Sequence, residues 1–116
     1  MSRVTSYELV MYSRTMGCPF ITTARRVLHE QEVAYREIMI DHHVEARERV
    51  LAWTGFMSVP TLVAAQWESD LPYSEPAPLE QGLSPRGIHR GALITEPNAR
   101  ELLVWLGDHG FVGNKQ

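Results

Sequence analysis

Apolar and polar positions change their period along this chain, and each change marks an expected element. "YELVMY" (7–12) is short, β-rich and followed by polar residues, which predicts a first strand. From Pro19 the spacing turns helical: Phe20, Ala24, Val27, Leu28 and Gln31 fall on one side, with Thr22, Arg25, Arg26 and Glu30 on the other. Proline is pre-organised for a first helical position, where its missing N–H would be unpaired anyway, so Cys18 becomes the N-cap. "VAYREIMI" (33–40) predicts a second strand. Asp41 is the expected N-cap of a helix through "HHVEARERVLAWTG", packed along Val44, the stem of Arg47, Val50, Leu51 and Trp53, and stopped at Gly55. "VPTLVAA" (59–65) reads as a third strand with Pro60 at its tolerant first position, and "RGALIT" (90–95) as a fourth. Thr95 or Glu96 is expected to cap a last helix beginning at Pro97. Its apolar face is Ala99, Leu102, Leu103 and Leu106, and Gly107 or Gly110 ends it.

Residues 66–89 interrupt this pattern. Pro72, Pro76, Pro78 and Pro85 suit neither a helix nor a central strand, so the segment predicts a long surface loop inserted between strands three and four. The order β-α-β-α-β-β-α predicts an α/β fold. Strands one and two are parallel through a right-handed crossover, and strands three and four are antiparallel despite the insert. Helices cover both faces of one mixed four-stranded sheet. A length of 116 residues suits a single domain over 1–116, with 66–89 as its inserted loop. No repeat of solenoid period is present. A net charge of −3 implies no basic face for nucleic acid or anionic lipid. The apolar runs are too short to span a bilayer, and the N-terminus has no apolar stretch of secretory type. The expectation is a cytoplasmic protein with neither a membrane nor a nucleic-acid partner.

The single cysteine excludes an intrachain disulfide framework and an all-cysteine zinc site. Cys18 itself has two readings. Free cysteines are often small buried hydrophobes. At a helix N-cap, however, unpaired N–H groups and about half a positive charge from the helix dipole favour the thiolate, and Arg14 lies close in sequence. The strand-to-helix position beside Pro19 favours the second reading: an exposed, activated thiol, which is the nucleophile of disulfide exchange. His42 and His43 are adjacent and point about 100° apart on a helix, so they make no metal clamp, and no metal site is expected. Trp53 and Trp105 read as core or core rim, and Trp67 and Tyr73 as part of the insert.

"MYSRTMGCPF" followed by a helix resembles the active-site segment of glutaredoxins, a thioredoxin-fold family. "SVPTLV" (58–63) is similar to that family's Thr-Val-Pro turn, and "LITEP" (93–97) stands where related domains hold the γ-glutamyl end of glutathione. The resemblance covers 7–65 and 90–110. It implies that Cys18 is catalytic, that Arg14 and Pro19 support its thiolate, and that the Val59–Pro60 bond is cis. It further implies a glutathione site. The backbone of Val59 beside Pro60 would pair with the cysteinyl part, and Phe20 would pack beside the mixed disulfide. Arg14 would meet the glycine carboxylate, and Thr95, Glu96 and the last helix would hold the γ-glutamyl end. Read as residues alone, Glu96 is equally a dipole-stabilising carboxylate and Arg14 a solvated loop cation.

The pattern departs from the family in two places. Ile21 stands where dithiol members have a second cysteine, and Tyr12 to Cys18 is one residue longer than usual. The first departure leaves a monothiol cycle that uses glutathione, or another low-molecular-weight thiol, as co-substrate to reduce mixed disulfides of unidentified proteins. Two other classes remain open. One is an iron–sulfur cluster carrier, although Cys18-Pro19-Phe20-Ile21 departs from the Cys-Gly-Phe-Ser of such relatives. The other is a binding module whose insert makes the contact.

Overall fold

The computed structural model describes residues 7–79 and 84–112. β1 (Glu8–Ser13) leads through a loop to α1 (Pro19–Glu30), β2 (Arg36–Met39), a 3-10 turn (Ile40–His42) and α2 (Val44–Thr54). β3 (Thr61–Ala65), β4 (Leu93–Thr95) and α3 (Ala99–Asp108) complete the order. The sheet runs β2-β1-β3-β4, with β1 and β2 parallel and the other neighbours antiparallel. The expected element order and strand directions are those observed.

Alternation along the strands divides the core into two layers. Leu9 and Met11 of β1, Leu62 and Ala64 of β3 and Ile94 of β4 pack with Ala24, Val27 and Leu28 of α1 and Leu102, Trp105 and Leu106 of α3. The opposite face joins Val10, Tyr12, Val63, Ala65 and Leu93 to Ala46 and Val50 of α2, with Ile21 of α1 and Val59. Helices therefore cover both faces.

Several boundaries differ from those the sequence predicts, each for a local reason. β2 begins at Arg36 rather than residue 33, because the chain first closes α1 with a left-handed residue, Glu32 (φ 56°). The N–H of Glu32 donates to His29 O and that of Val33 to Leu28 O, the paired C-terminal bonds that satisfy a helix's last carbonyls. Asp41 does not cap α2. Its carboxylate instead accepts from the N–H of Thr15, and His43 is the N-cap, its Nδ1 accepting from Ala46 N–H. The face of α2 that meets the sheet is Ala46, Val50 and Thr54, which leaves Val44 and Leu51 exposed. Thr54 tolerates burial because its hydroxyl donates to Val50 O and accepts from Phe56 N–H. β4 is three residues long because the chain bends at Gly91 (φ 73°), where Arg90 N–H donates to Leu93 O.

At the start of α3 neither Thr95 nor Glu96 is the cap. Asn98 accepts from Glu101 N–H at 2.8 Å while Glu101 Oε1 accepts from Asn98 N–H at 2.7 Å, a reciprocal capping box. The helix begins at Ala99, and Trp105 takes the buried position expected of Leu103.

The segment between β3 and β4 is stitched down rather than looped out. Tyr73 N–H donates to Ala64 O at 2.8 Å, and Pro72 pairs with Ala65. Arg36 bonds Ser69 O and pairs with Asp70 and Glu8, and the Tyr12 hydroxyl donates to Asp70 O. Arg90, 6% exposed, donates from Nε to Ala77 O and from Nη1 to Trp53 O near the C-terminus of α2.

Candidate active site at Cys18

The loop before the thiol is fixed at both ends. Ser13, fully buried at the end of β1, donates to Glu37 of β2, and Glu37 also pairs with Arg25 of α1. Thr15 N–H is held by Asp41 at 3.1 Å. Between these anchors Arg14 is exposed and turns along its own loop, its Nε donating to Met16 O at 3.0 Å. The Asp41 carboxyl is held below the usual carboxylate range. Desolvation is the largest single influence and pushes the other way, but the Thr15 side-chain and backbone hydrogen bonds, with smaller help from the Asp41 N–H and His42, together outweigh it.

Cys18 is the N-cap of α1 in extended conformation, followed by Pro19 as the first helical residue. Its carbonyl accepts from Thr22 N–H, while its side chain makes no capping bond and is half-buried. The thiol lies 3.9 Å from Val59 O, on the peptide that precedes Pro60, and the Val59–Pro60 bond is cis. Helix start and proline turn thus meet at the sulfur.

From there the contacts close a circuit. Pro60 O accepts from Glu96 N–H at 2.8 Å. Glu96, left-handed at φ 48°, sets its carboxylate 3.5 Å from Arg86 Nε, and the Arg86 guanidinium lies 4.6 Å above the ring of Phe20. Phe20 is two residues from Cys18 on α1. The circuit brings together Cys18, Phe20, Val59, Pro60 and Glu96 of the residues expected from the sequence. Thr95 lies beneath it, fully buried, with its Oγ1 3.0 Å from that of Thr61. Thr61 also bonds Ser58 O at 2.9 Å, and a carbonyl can only accept, so the Thr95 hydroxyl is the donor to Thr61.

Arg86 is the site residue that the sequence reading missed, and the insert delivers it. Ile88 N–H donates to Pro85 O, and Gly87 at the third turn position has φ 74°. Gly87 N–H also donates to Thr95 O at 2.6 Å, and Arg86 pairs with Thr95 in parallel sense. A Cβ on Gly87 would stand 2.7 Å from the Glu101 carboxylate, so this approach needs glycine. The signal was present as "SPRG", a Pro-x-Gly turn with a cation at its tip.

The sequence matches the glutaredoxin family profile over residues 9–66, half of the chain, from β1 to the end of β3 and including Cys18. The chain belongs to the glutaredoxin family. Among solved structures it is similar to the holo form of glutaredoxin C1 from Populus tremula x tremuloides. That match has 21% identity and a TM-score of 0.42, and covers 53% of this chain and 65% of that one. It is also similar to the glutaredoxin (grx-1) of Archaeoglobus fulgidus, at 27% identity and a TM-score of 0.43, covering 60% of this chain and 78% of that one. This glutaredoxin therefore spans just under two thirds of the poplar protein. No curated protein sequence matches it. No helix among the described residues is long and apolar enough to cross a membrane. Members of the family are thiol oxidoreductases, and Cys18 is the single cysteine of this sequence.

Proposed function

We propose that this glutaredoxin catalyses monothiol exchange through Cys18, using glutathione or a similar low-molecular-weight thiol to reduce mixed disulfides of proteins. The observation that carries the reading is the placement of Cys18: a half-exposed N-cap thiol with no capping bond, facing the Val59 carbonyl at the cis Val59–Pro60 turn. In the first step the Cys18 thiolate attacks the glutathione sulfur of a mixed disulfide. The S–S bond breaks, the protein thiolate leaves and takes up a proton, and Cys18 carries the glutathione as a new disulfide. In the second step a glutathione thiolate attacks the glutathione sulfur of that adduct. Oxidised glutathione leaves and the Cys18 thiolate returns. Ile21 stands where a resolving cysteine would be needed, so each half-cycle depends on an external thiol.

In this reading the pocket for the co-substrate is the circuit around the thiol. The Val59 peptide pairs with its cysteinyl backbone as an added strand would, and Phe20 lies beside the disulfide. Glu96 and the start of α3 face its far end. Arg14 supplies a cation at the loop side, and Pro19 keeps the first turn of α1 in place. Protein disulfides approach across the exposed Met16, Phe56 and Met57.

The test is turnover of a glutathionylated peptide by glutathione, with oxidised glutathione read through a coupled reductase. Wild type is expected to turn over by a ping-pong mechanism, and Cys18→Ser to show only the uncatalysed rate. A Cys18→Ser variant as active as wild type, or an inactive wild type, would refute the proposal.

A further inference from the structure

Arg86 does not come from the elements that the family profile matches; it comes from the segment joining β3 to β4. That segment is built to hold it. The turn at Pro85–Ile88 is closed by a backbone bond, tied to Thr95 O through Gly87 N–H, and seated against the Glu101 carboxylate at a left-handed φ that favours glycine. Pro85 is buried. The guanidinium that results lies over the Phe20 ring, 4.6 Å from its centroid, with Nε 3.5 Å from Glu96 Oε1, while more than half of the side chain remains exposed. The Glu96 side chain is 18% exposed. The carboxylate facing the far end of the co-substrate pocket is therefore already matched by a cation of the chain itself.

We infer that Arg86 is a specificity-determining residue, selecting thiol co-substrates whose far end is anionic and discriminating against an ammonium group there. The inference rests on the thiol-exchange reading above and deepens it. An incoming ammonium meets a carboxylate that Arg86 has neutralised, and meets the like charge of Arg86 itself. An incoming carboxylate meets a partly exposed guanidinium seated over an aromatic ring, whose planar fork of donors suits a carboxylate.

Two unreactive probes isolate the contribution of the ammonium: S-methylglutathione, and its deaminated counterpart, which keeps both carboxylates and lacks the ammonium. Calorimetric titration of the full chain gives the ratio of the two dissociation constants for wild type and variants. Arg86→Gln is expected to shift the ratio about threefold or more toward the ammonium-bearing probe, the size of a partly exposed ion pair. Arg86→Lys is expected to keep most of the wild-type ratio, and in a Glu96→Gln background Arg86→Gln should shift the ratio less, because only the direct repulsion between Arg86 and the ammonium is left to remove. A ratio that Arg86→Gln leaves in place, or that shifts equally without Glu96, overturns the inference. If turnover proceeds but neither probe binds wild type, the Arg86–Glu96 pair is not part of the co-substrate pocket and the inference alone falls. If turnover is absent as well, the exchange reading falls and takes the inference with it.

Discussion

Asp41 shows how one side chain can change role between sequence and structure. As an aspartate ahead of a helical pattern it has the chemistry of a cap, and that is what the sequence suggests. In the fold, Asp41 lies within a 3-10 turn that ends before α2, and its carboxylate reaches back to Thr15 in the loop before Cys18. The Thr15 bonds favour the ionised form and hold the carboxyl below its ordinary range. The unfolded chain therefore binds more protons than the folded one as pH passes through the carboxylate range. The anchor is in full effect above the ordinary value of about 3.9 and is lost as pH falls through the lower folded value. Asp41→Asn removes an ionised acceptor, so the variant is expected to show faster amide exchange at Thr15 than wild type near neutral pH. The two should converge in strong acid. Equal exchange at neutral pH would show that the loop is held by other contacts.

At the scale of elements, the strands, helices and their order were legible because burial on both faces makes β1 and β3 short, nearly continuous apolar runs, while α1 shows a helical stripe. The ends were harder to read, since each is decided by which backbone groups find partners. α3 illustrates this. Pro97 and Thr95 both carry start signals, yet Asn98 and Glu101 form the reciprocal cap, and that Asn-x-x-Glu spacing was itself visible in the sequence. Asn98→Ala is expected to lower stability by about 0.5–2 kcal/mol, read as a shift in denaturant midpoint at constant slope. It should also loosen Glu101, the carboxylate against which Gly87 is seated, and so weaken the Arg86–Phe20 contact. An unchanged midpoint would mean that the box contributes nothing to the start of α3. Likewise, the buried face of α2 was misread because Val44 and Leu51 are more apolar than Thr54. Apolarity lost to geometry: residues 46, 50 and 54 face the sheet, and the Thr54 hydroxyl finds backbone partners.

For the whole molecule, the sheet supplies the frame and the thiol sits where α1, the proline turn and the strand-four edge converge. Cys18, Phe20, Val59, Pro60 and Glu96 were placed at the candidate site by motifs beside element ends that resemble the family's, and the fold brings those residues together. Arg86 was not, since a proline-rich stretch has no period from which to infer where its turns land. Its position depends on long-range bonds such as Gly87 N–H to Thr95 O and the burial of Arg90 against Ala77 and Trp53. The insert is consequently part of the candidate site, and excising it would remove both a flank of the sheet and the cation over Phe20 and beside Glu96.

The central claim is that one cysteine takes up glutathione and holds it until a second thiol arrives. Intact-mass measurement of the protein after mixing with a glutathionylated peptide, with no free glutathione present, tests this directly. Monothiol exchange is expected to leave one glutathione per chain, mapped to Cys18, with release of an equal amount of peptide thiol. A protein that stays unmodified, or that carries the peptide instead of glutathione, would contradict it.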